Sequence, residues 1–488
     1  MVKNTVAVLL VLLIISLTFI VSAETVPYQS YNYDYYGNAA ETPTAYKPVV
    51  NHGAGDQLTG MLFNQPADLF VAQNGNIYVL DSGNSKIEIF NSSFAHIKTI
   101  DGFMKGTTKD TFNMPEGIFV TSKGDIYIAD TKNNRIVILN ETGELKSYIV
   151  NMNSDILGDD FEFLPSKLTV DNAGRLYVVA RHVFQGIMVF EMNNRFSNYI
   201  GTVNVTVSPM ELFWKRFSTK SQREKSKLFV PTEFSNLDID SEGFIYASNL
   251  DKDSNQMIKR LNPYGQDVLK NFTEFPLAGD IKFSSTGDLS GATQFCDITV
   301  RESGMYSALD SVRGRIFTYD SEGHILYIFG GFGTQIGSFK KPVAIDTSGN
   351  LLLVLDQDHG KVMAFEPTVY GSLIEGAVTE RFLGNDEKSI EYWKQVLTHD
   401  ANFELAYVGI GQSLLAEYKN KEAMDYLKKG HDTKYYSIAF KRHRLDLLKS
   451  NINIIFNVLA ALLFLTVVLF LMKKIKNQRT NSQKISEK

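Results

Sequence analysis

At 488 residues the chain is long enough for a large core and more than one domain. Its formal charge of −5 argues against a general nucleic-acid binder, because phosphate tracks need clustered Lys and Arg. The single cysteine, Cys296, excludes an intrachain disulfide.

Met1–Ala23 has a basic start at Lys3, an apolar run from Val6 to Val21, and small residues before Glu24. That pattern predicts a signal peptide over residues 1–23, which would export the rest of the chain up to any later span. Residues 24–44 form a Tyr-rich leader (YQSYNYDYYGN) without helical period, which reads as extended or loop structure.

From residue 45 to 368 a glycine-centred phrase dominates, of the form Pro-x-x-apolar-x-Val-x-x-x-Gly-x-Ile-Tyr-Val-x-Asp. Its six copies centre on Gly75, Gly124, Gly174, Gly243, Gly304 and Gly349, with gaps of 49, 50, 69, 61 and 45 residues. A repeat of this size, holding several short strands per copy, predicts a six-bladed β-propeller. In the first copy the strands are expected at Leu69–Ala72, Ile77–Leu80, Lys86–Phe90 and Ala95–Ile100. The last copy lacks a fourth strand, and Tyr46–Val50 is the expected donor, closing the ring and removing its free edge. Residues 209–227 read as a helical, basic insertion between the third and fourth blades.

The period changes to about 3.6 from Asn385. Residues 385–433 read as paired helices, with Ala406, Tyr407, Gly411, Leu414, Ala423 and Tyr426 on the pattern of one tetratricopeptide repeat (TPR). Tyr418 stands where that pattern has glycine between helices. Residues 434–451 predict a basic, partly amphipathic juxtamembrane helix. Residues 452–472 are apolar over a bilayer's length. The tail, residues 473–488, opens with Lys473, Lys474 and Lys476, which favours a cytoplasmic C-terminus, although Lys441, Arg442, Arg444 and Lys449 lie on the other side. With export upstream, the expected location is a single-pass cell-membrane protein with its body extracytoplasmic.

Two sets of polar residues compete for attention. The recurring Asp-x-x-Asn-x-Arg/Lys phrase reads as a turn staple: Asp81, Asp130 and Asp310 accept backbone N–H bonds, Asn84, Asn133 and Gly314 supply left-handed geometry, and Lys86, Arg135 and Arg315 pair with the Asp. The inner-strand entrances differ from copy to copy. Seven residues before each glycine stand Asp68, Gly117, Lys167, Asn236, Asp297 and Pro342. Asp68, Glu116, Asn236 and Asp297 are the candidate metal ligands, hard oxygen donors suited to Ca2+. A solvated channel with ordinary polar lining competes with that reading, and Lys167 and Lys341 oppose a strong cation site. The histidines do not follow a zinc pattern, and no Gly-x-Ser-x-Gly elbow occurs. No catalytic residue is assigned.

The phrases DSGNSKI (Asp81–Ile87), DTKNNRI (Asp130–Ile136), DSVRGRI (Asp310–Ile316) and DQDHGKV (Asp356–Val362) resemble the NHL family of six-bladed propellers. Ala180 and Asn249 depart from the Asp of that pattern. The order of segments resembles bacterial membrane-anchored NHL proteins. The expected fold is therefore mainly β: a six-bladed NHL-type propeller, a small TPR-like helical segment and one C-terminal transmembrane helix. The resemblance implies an extracytoplasmic accessory protein. The two membrane signals, the TPR-like helices and the lack of a committed catalytic set favour a tethered binding or scaffold protein with a protein or glycan partner, accessory to a membrane transport complex. Export and the acidic charge argue against a nucleic-acid partner. The alternative the resemblance raises is a divalent-metal-dependent lactonase or esterase of the gluconolactonase-like propeller type.

Overall fold

The computed structural model describes residues 26–55, 61–150, 161–202, 233–249, 257–269, 279–280 and 291–486. The expected signal peptide and the insertion at 209–227 lie outside the described residues. The chain divides into two compact units, residues 1–383 and 384–488.

Six antiparallel sheets follow one another in the first unit, and each starts at its innermost strand. Blade 1 comprises β4 (Asp68–Val71), β5 (Ile77–Asp81), β6 (Lys86–Phe90) and β7 (His96–Ile100). A short hairpin of β8 (Phe103–Lys105) and β9 (Thr108–Asp110) leads to the next blade. Blade 2 comprises β10 (Gly117–Val120) to β13 (Leu145–Val150), and blade 3 comprises β14 (Pro165–Val170) to β17 (Phe196–Ile200). In blade 4, β18 (Phe234–Ile239), β19 (Ile245–Asn249) and β20 (Ile258–Leu261) are followed, among the described residues, by a bridge from Leu261 to Asp267. Blade 5 comprises β21 (Phe295–Val300) to β24 (Ile325–Phe329). Blade 6 comprises β25 (Pro342–Ser348), β26 (Leu351–Asp356) and β27 (Lys361–Pro367). Its fourth strand is β3 (Tyr46–Ala54), which pairs with β27 through Tyr46–Pro367 and Ala54–Val362. The ring thus closes with the early strand that the repeat count lacked.

The alternation of apolar residues explains the packing. Ile77, Val79, Leu69, Val362 and Leu353 fill the space between blades 6 and 1. Leu80, Ile87, Ile118 and Ile128 do the same between blades 1 and 2. Each blade therefore buries both faces against neighbours, and neither face is stable alone.

The leader, expected as extended or loop structure, is extended in two short pieces. Strands β1 (Tyr31–Tyr33) and β2 (Ala39–Glu41) form a hairpin whose β1 pairs with β24, so blade 5 has six strands. Composition concealed this, because the strands are three residues long and their partner lies about 300 residues away. Asp34 makes the turn by accepting from Tyr36 N (2.9 Å) and Asn38 N (2.8 Å). Tyr31 and Tyr33 donate their hydroxyls to Asp280, at 2.8 Å for Tyr33, and Arg315 donates to Asp280 at 2.6 Å.

Helix α1 (Val369–Phe382) follows β27 at once, earlier than the expected change of period at Asn385. Thr368 caps it, accepting from Gly371 N at 3.2 Å. Its Glu375 accepts from Tyr46 (2.7 Å), Tyr327 (2.6 Å) and Arg301.

The second unit holds α2 (Asp386–His399), α3 (Glu404–Ala416), α4 (Asn420–Lys429), α5 (Thr433–Ser450) and α6 (Ile452–Ser486). Neighbouring helices approach closely: a Cβ on Gly411 would stand 2.5 Å from Leu427. Tyr418, between α3 and α4, adopts φ +61°, which accounts for the glycine preference at such a position. Within α6, Ile452–Asn477 is long and apolar enough to cross a membrane and is not buried against protein.

Candidate functional site

The Asp of the repeated phrase is buried and stapled to the preceding connector. Asp81 accepts from Asn64 N at 2.7 Å, and Asp130 from Asn113 N at 2.7 Å. Asp310 accepts from Gln294 N at 3.1 Å, and Asp356 from Lys340 N at 2.7 Å. Two details differ from expectation. The left-handed residues in the first two copies are Ser85 (φ 53°) and Asn134 (φ 52°), one position later than Asn84 and Asn133. Those two asparagines instead donate their side-chain amides to the Asp, at 2.8 and 2.9 Å. Arg315 pairs with Asp280 rather than Asp310, drawn away by the leader hairpin.

The innermost strands form a ring in two layers. Strand register makes Asp68, Gly117, Lys167, Asn236, Asp297 and Ala344 equivalent, opposite Leu80, Ala129, Val179, Ser248, Leu309 and Leu355. Counting back from glycine had placed Pro342 in the sixth position. Blade 6 turns within two residues, between Ser348 and Leu351, so its glycine sits earlier relative to the strand. Two residues further along each strand lies the second layer, which includes Phe70, Phe119, Asp238, Thr299 and Asp346.

Each innermost strand turns one edge to the channel, where its N–H groups have no strand partner. Carboxylates of the preceding blade meet several of them. Asp68 accepts from Ile118 N (2.8 Å), joining blades 1 and 2. Asp238 accepts from Val300 N (2.8 Å), joining blades 4 and 5. Asp297 accepts from Ile345 N (2.6 Å), and Asp346 from Val71 N (2.6 Å), joining blades 5 to 6 and 6 to 1. Between blades 2 and 3 the contact is backbone on backbone, since a Cβ on Gly117 would stand 2.4 Å from Ser166 O.

Without a side chain at Gly117, Lys167 reaches past blade 2 to blade 1. Its ammonium donates to Asp68 Oδ1 at 2.6 Å and to Ala67 O at 3.1 Å. Asn236 donates to Asp297, while its own Oδ1 accepts from Leu237 N at 2.7 Å. The structure therefore gathers Asp68, Asn236 and Asp297 of the four expected ligands, together with Lys167. Glu116 stands apart at the rim, bonded to Arg181 at 2.7 and 2.9 Å. Among the described residues no group of three or more His, Cys, Asp or Glu is placed to hold a metal ion. Asp68, Asn236 and Asp297 are the oxygen donors a cation would meet, with the Lys167 ammonium already against Asp68.

Burial dominates the electrostatics. It raises the carboxyl of Asp68 and raises that of Asp297 well above the usual range, with Lys167 opposing it in both. In the second layer burial pushes Asp238 up to about 6, and burial with the Asp238 charge pushes Asp346 up to about 7. Lys167 is held above its ordinary value: desolvation, which lowers it, is outweighed by the charges of Asp68 and Asp297.

Small polar groups complete the joints. Ser235 donates to Phe295 O at 2.6 Å, and Thr131 to Pro165 O at 2.7 Å. Cys296 lies in a strand irregularity, 3.4 Å from Leu309 O and 3.7 Å from Pro342 O. Burial, with Asp297 and Asp310 nearby, pushes its thiol up, which disfavours the nucleophilic thiolate. Sequence reasoning missed Asp238 and Asp346, although their signal was present: both lie two residues beyond a channel-lining position, on the same strand face.

The family description "NHL repeat" matches residues 63–90 and 112–139. The chain carries NHL repeats. Those matches cover the end of the connector and the first three strands of blades 1 and 2, including the Asp81 and Asp130 staples. No curated protein matches the chain. Among solved structures, virginiamycin B lyase from Staphylococcus aureus is similar at 12% identity, covering 62% of this chain and 95% of that one, with TM-score 0.40. A protein of unknown function from Bacteroides thetaiotaomicron is similar at 12% identity, covering 68% of this chain and 80% of that one, with TM-score 0.42. Similarity at this level carries no chemistry from those proteins to these NHL repeats.

Proposed function

We propose that this chain is a membrane-tethered binding scaffold, with the propeller and α2–α5 extracytoplasmic and the tail after α6 cytoplasmic. Its partner is a protein or glycan, within a membrane complex such as a transporter. The observation that carries this reading is the use of the inner-ring carboxylates. Asp68, Asp238, Asp297 and Asp346 each accept a backbone N–H of the next blade, so the polar channel serves as mortar. The apolar helix Ile452–Asn477 supports the tether. Specificity then belongs to the rim, where Glu116 and Arg181 are paired at the ring entrance.

The test is a calcium titration of the purified full-length protein alongside photo-crosslinking in its native membrane. A scaffold shows an unchanged melting temperature at millimolar Ca2+, and a crosslinker at Arg181 captures a partner that one at the outer-strand Lys98 does not. A calcium-dependent rise in melting temperature, abolished by Asp68→Asn, overturns the reading in favour of the metal-dependent hydrolase.

A further inference from the structure

Helix α5 has two unlike sides. At about 100° per residue, Tyr435, Ala439 and His443 fall on one side, and Ala439 is fully buried. That side also carries Asp446, which accepts from Asn420 of α4 at 2.7 Å. Arg442, near its border, donates to Leu415 O of α3 at 3.1 Å. The packing within the second unit therefore occupies this side and uses the acidic side chain of Asp446.

The opposite side carries Ile438, Lys441, Leu445 and Leu448, flanked by Arg444 and Lys449, and holds no Asp or Glu. Ile438, Leu445 and Leu448 are 36%, 43% and 48% exposed. Lys441, Arg444 and Lys449 make no ion pair with any described residue. Three aliphatic side chains interleaved with three cations form an amphipathic surface, and the long cationic stems can extend toward headgroups while the aliphatics enter the acyl boundary.

The chain itself indicates what covers this surface. One residue, Asn451, separates α5 from α6, whose apolar segment begins at Ile452. A bilayer that receives α6 lies within a few ångströms of the last turn of α5. We infer that the Ile438–Lys441–Leu445–Leu448 face of α5 lies on the adjoining leaflet and binds anionic phospholipid headgroups. The inference rests on α6 entering the bilayer and is independent of the scaffold role.

The test uses the full-length protein reconstituted into bilayers of phosphatidylcholine alone or mixed with phosphatidylglycerol. Lysines are footprinted with a water-soluble amine reagent, and modification is read by mass spectrometry. Lys441 and Lys449 are expected to react about fivefold more slowly in the anionic bilayer, while Lys421 and Lys428 of α4 react equally in both. A second readout starts from Cys296→Ala, which removes the sole cysteine. A fluorophore on Leu445→Cys is expected to be quenched by shallow doxyl lipids several-fold more than one on Lys421→Cys. Changing Lys441, Arg444 and Lys449 to Gln should reduce that quenching. Equal footprinting in the two bilayers, or equal quenching at 445 and 421, makes α5 a plain stalk and overturns the inference. Failure of the protein to float with the vesicles overturns it as well, through the loss of the α6 anchor. Neither result bears on partner capture by the propeller.

Discussion

Two rings of buried carboxylates can be compared directly. The outer set, Asp81, Asp130, Asp310 and Asp356, ties blades 1, 2, 5 and 6 to the connectors that enter them. The inner set, Asp68, Asp238, Asp297 and Asp346, ties blade 1 to 2, 4 to 5, 5 to 6 and 6 to 1. The outer set repeats with the sequence because these four blades share the same turn, whereas Ala180 and Asn249 take its place in blades 3 and 4. The inner set is irregular because ring closure constrains only sums: a missing side chain at Gly117 is matched by a long one at Lys167. Repetition marks a local structural need, and variation in this protein marks a division of labour around a shared axis.

The largest test of this contrast is Lys167→Met. It leaves Asp68 buried without its cation, and the expected loss is about 3–5 kcal/mol in chemical denaturation. A Lys167→Met/Asp68→Asn double variant should regain a substantial part of that loss. A loss under about 1 kcal/mol for the single variant would mean that the ring is loosely solvated.

Next in size is Asp130→Ala in the outer set. It removes the acceptor of Asn113 N, Asn133 and Arg135 Nε at 2.7–2.9 Å. Arg135 keeps Asp110, at 2.7 Å, so the expected cost is about 2–3 kcal/mol, and more in a chain already lacking Asp110, where Arg135 is left with no carboxylate. Arg135 couples the two acids, and a double-mutant cycle measures that coupling.

The second layer of the inner ring should also respond to pH. Asp238 and Asp346 have folded-state values raised to about 6 and about 7, above their ordinary value of 3.8. The folded state then holds protons that the unfolded chain releases, so stability falls as pH rises through about 6–7. From pH 8 to pH 6 the gain is about 1–2 kcal/mol, seen as a higher unfolding midpoint. Asp346→Asn should flatten that slope. A slope unchanged in Asp346→Asn would remove the second layer as its source.

The smallest effect is expected at a joint made by a hydroxyl. Ser235→Ala removes one hydrogen bond between blades 4 and 5 and should cost about 1 kcal/mol. Its partner carbonyl at Phe295 keeps a second lone pair, which limits the penalty.

The candidate site was half legible. Asp68, Asn236 and Asp297 emerged from counting, since each occupies one strand face at one distance from a turn. Lys167 emerged too, but as an objection to metal binding rather than as the residue that spans a gap. Glu116 was misplaced because adjacent residues on a strand face opposite ways, and a neighbour of a channel position turns outward.

By itself the sequence determined the blade count, the turn staples, the closing strand and the apolar helix. Each follows from periodicity or from a length of hydrocarbon, quantities that act over a few residues. Only the tertiary structure decided that the leader adds two strands to blade 5, that Arg315 serves Asp280, and that Lys167 reaches Asp68. Those pairings join residues 35 to about 300 positions apart. Their geometry exists only once the ring has closed and brought distant edges and charges within hydrogen-bonding reach.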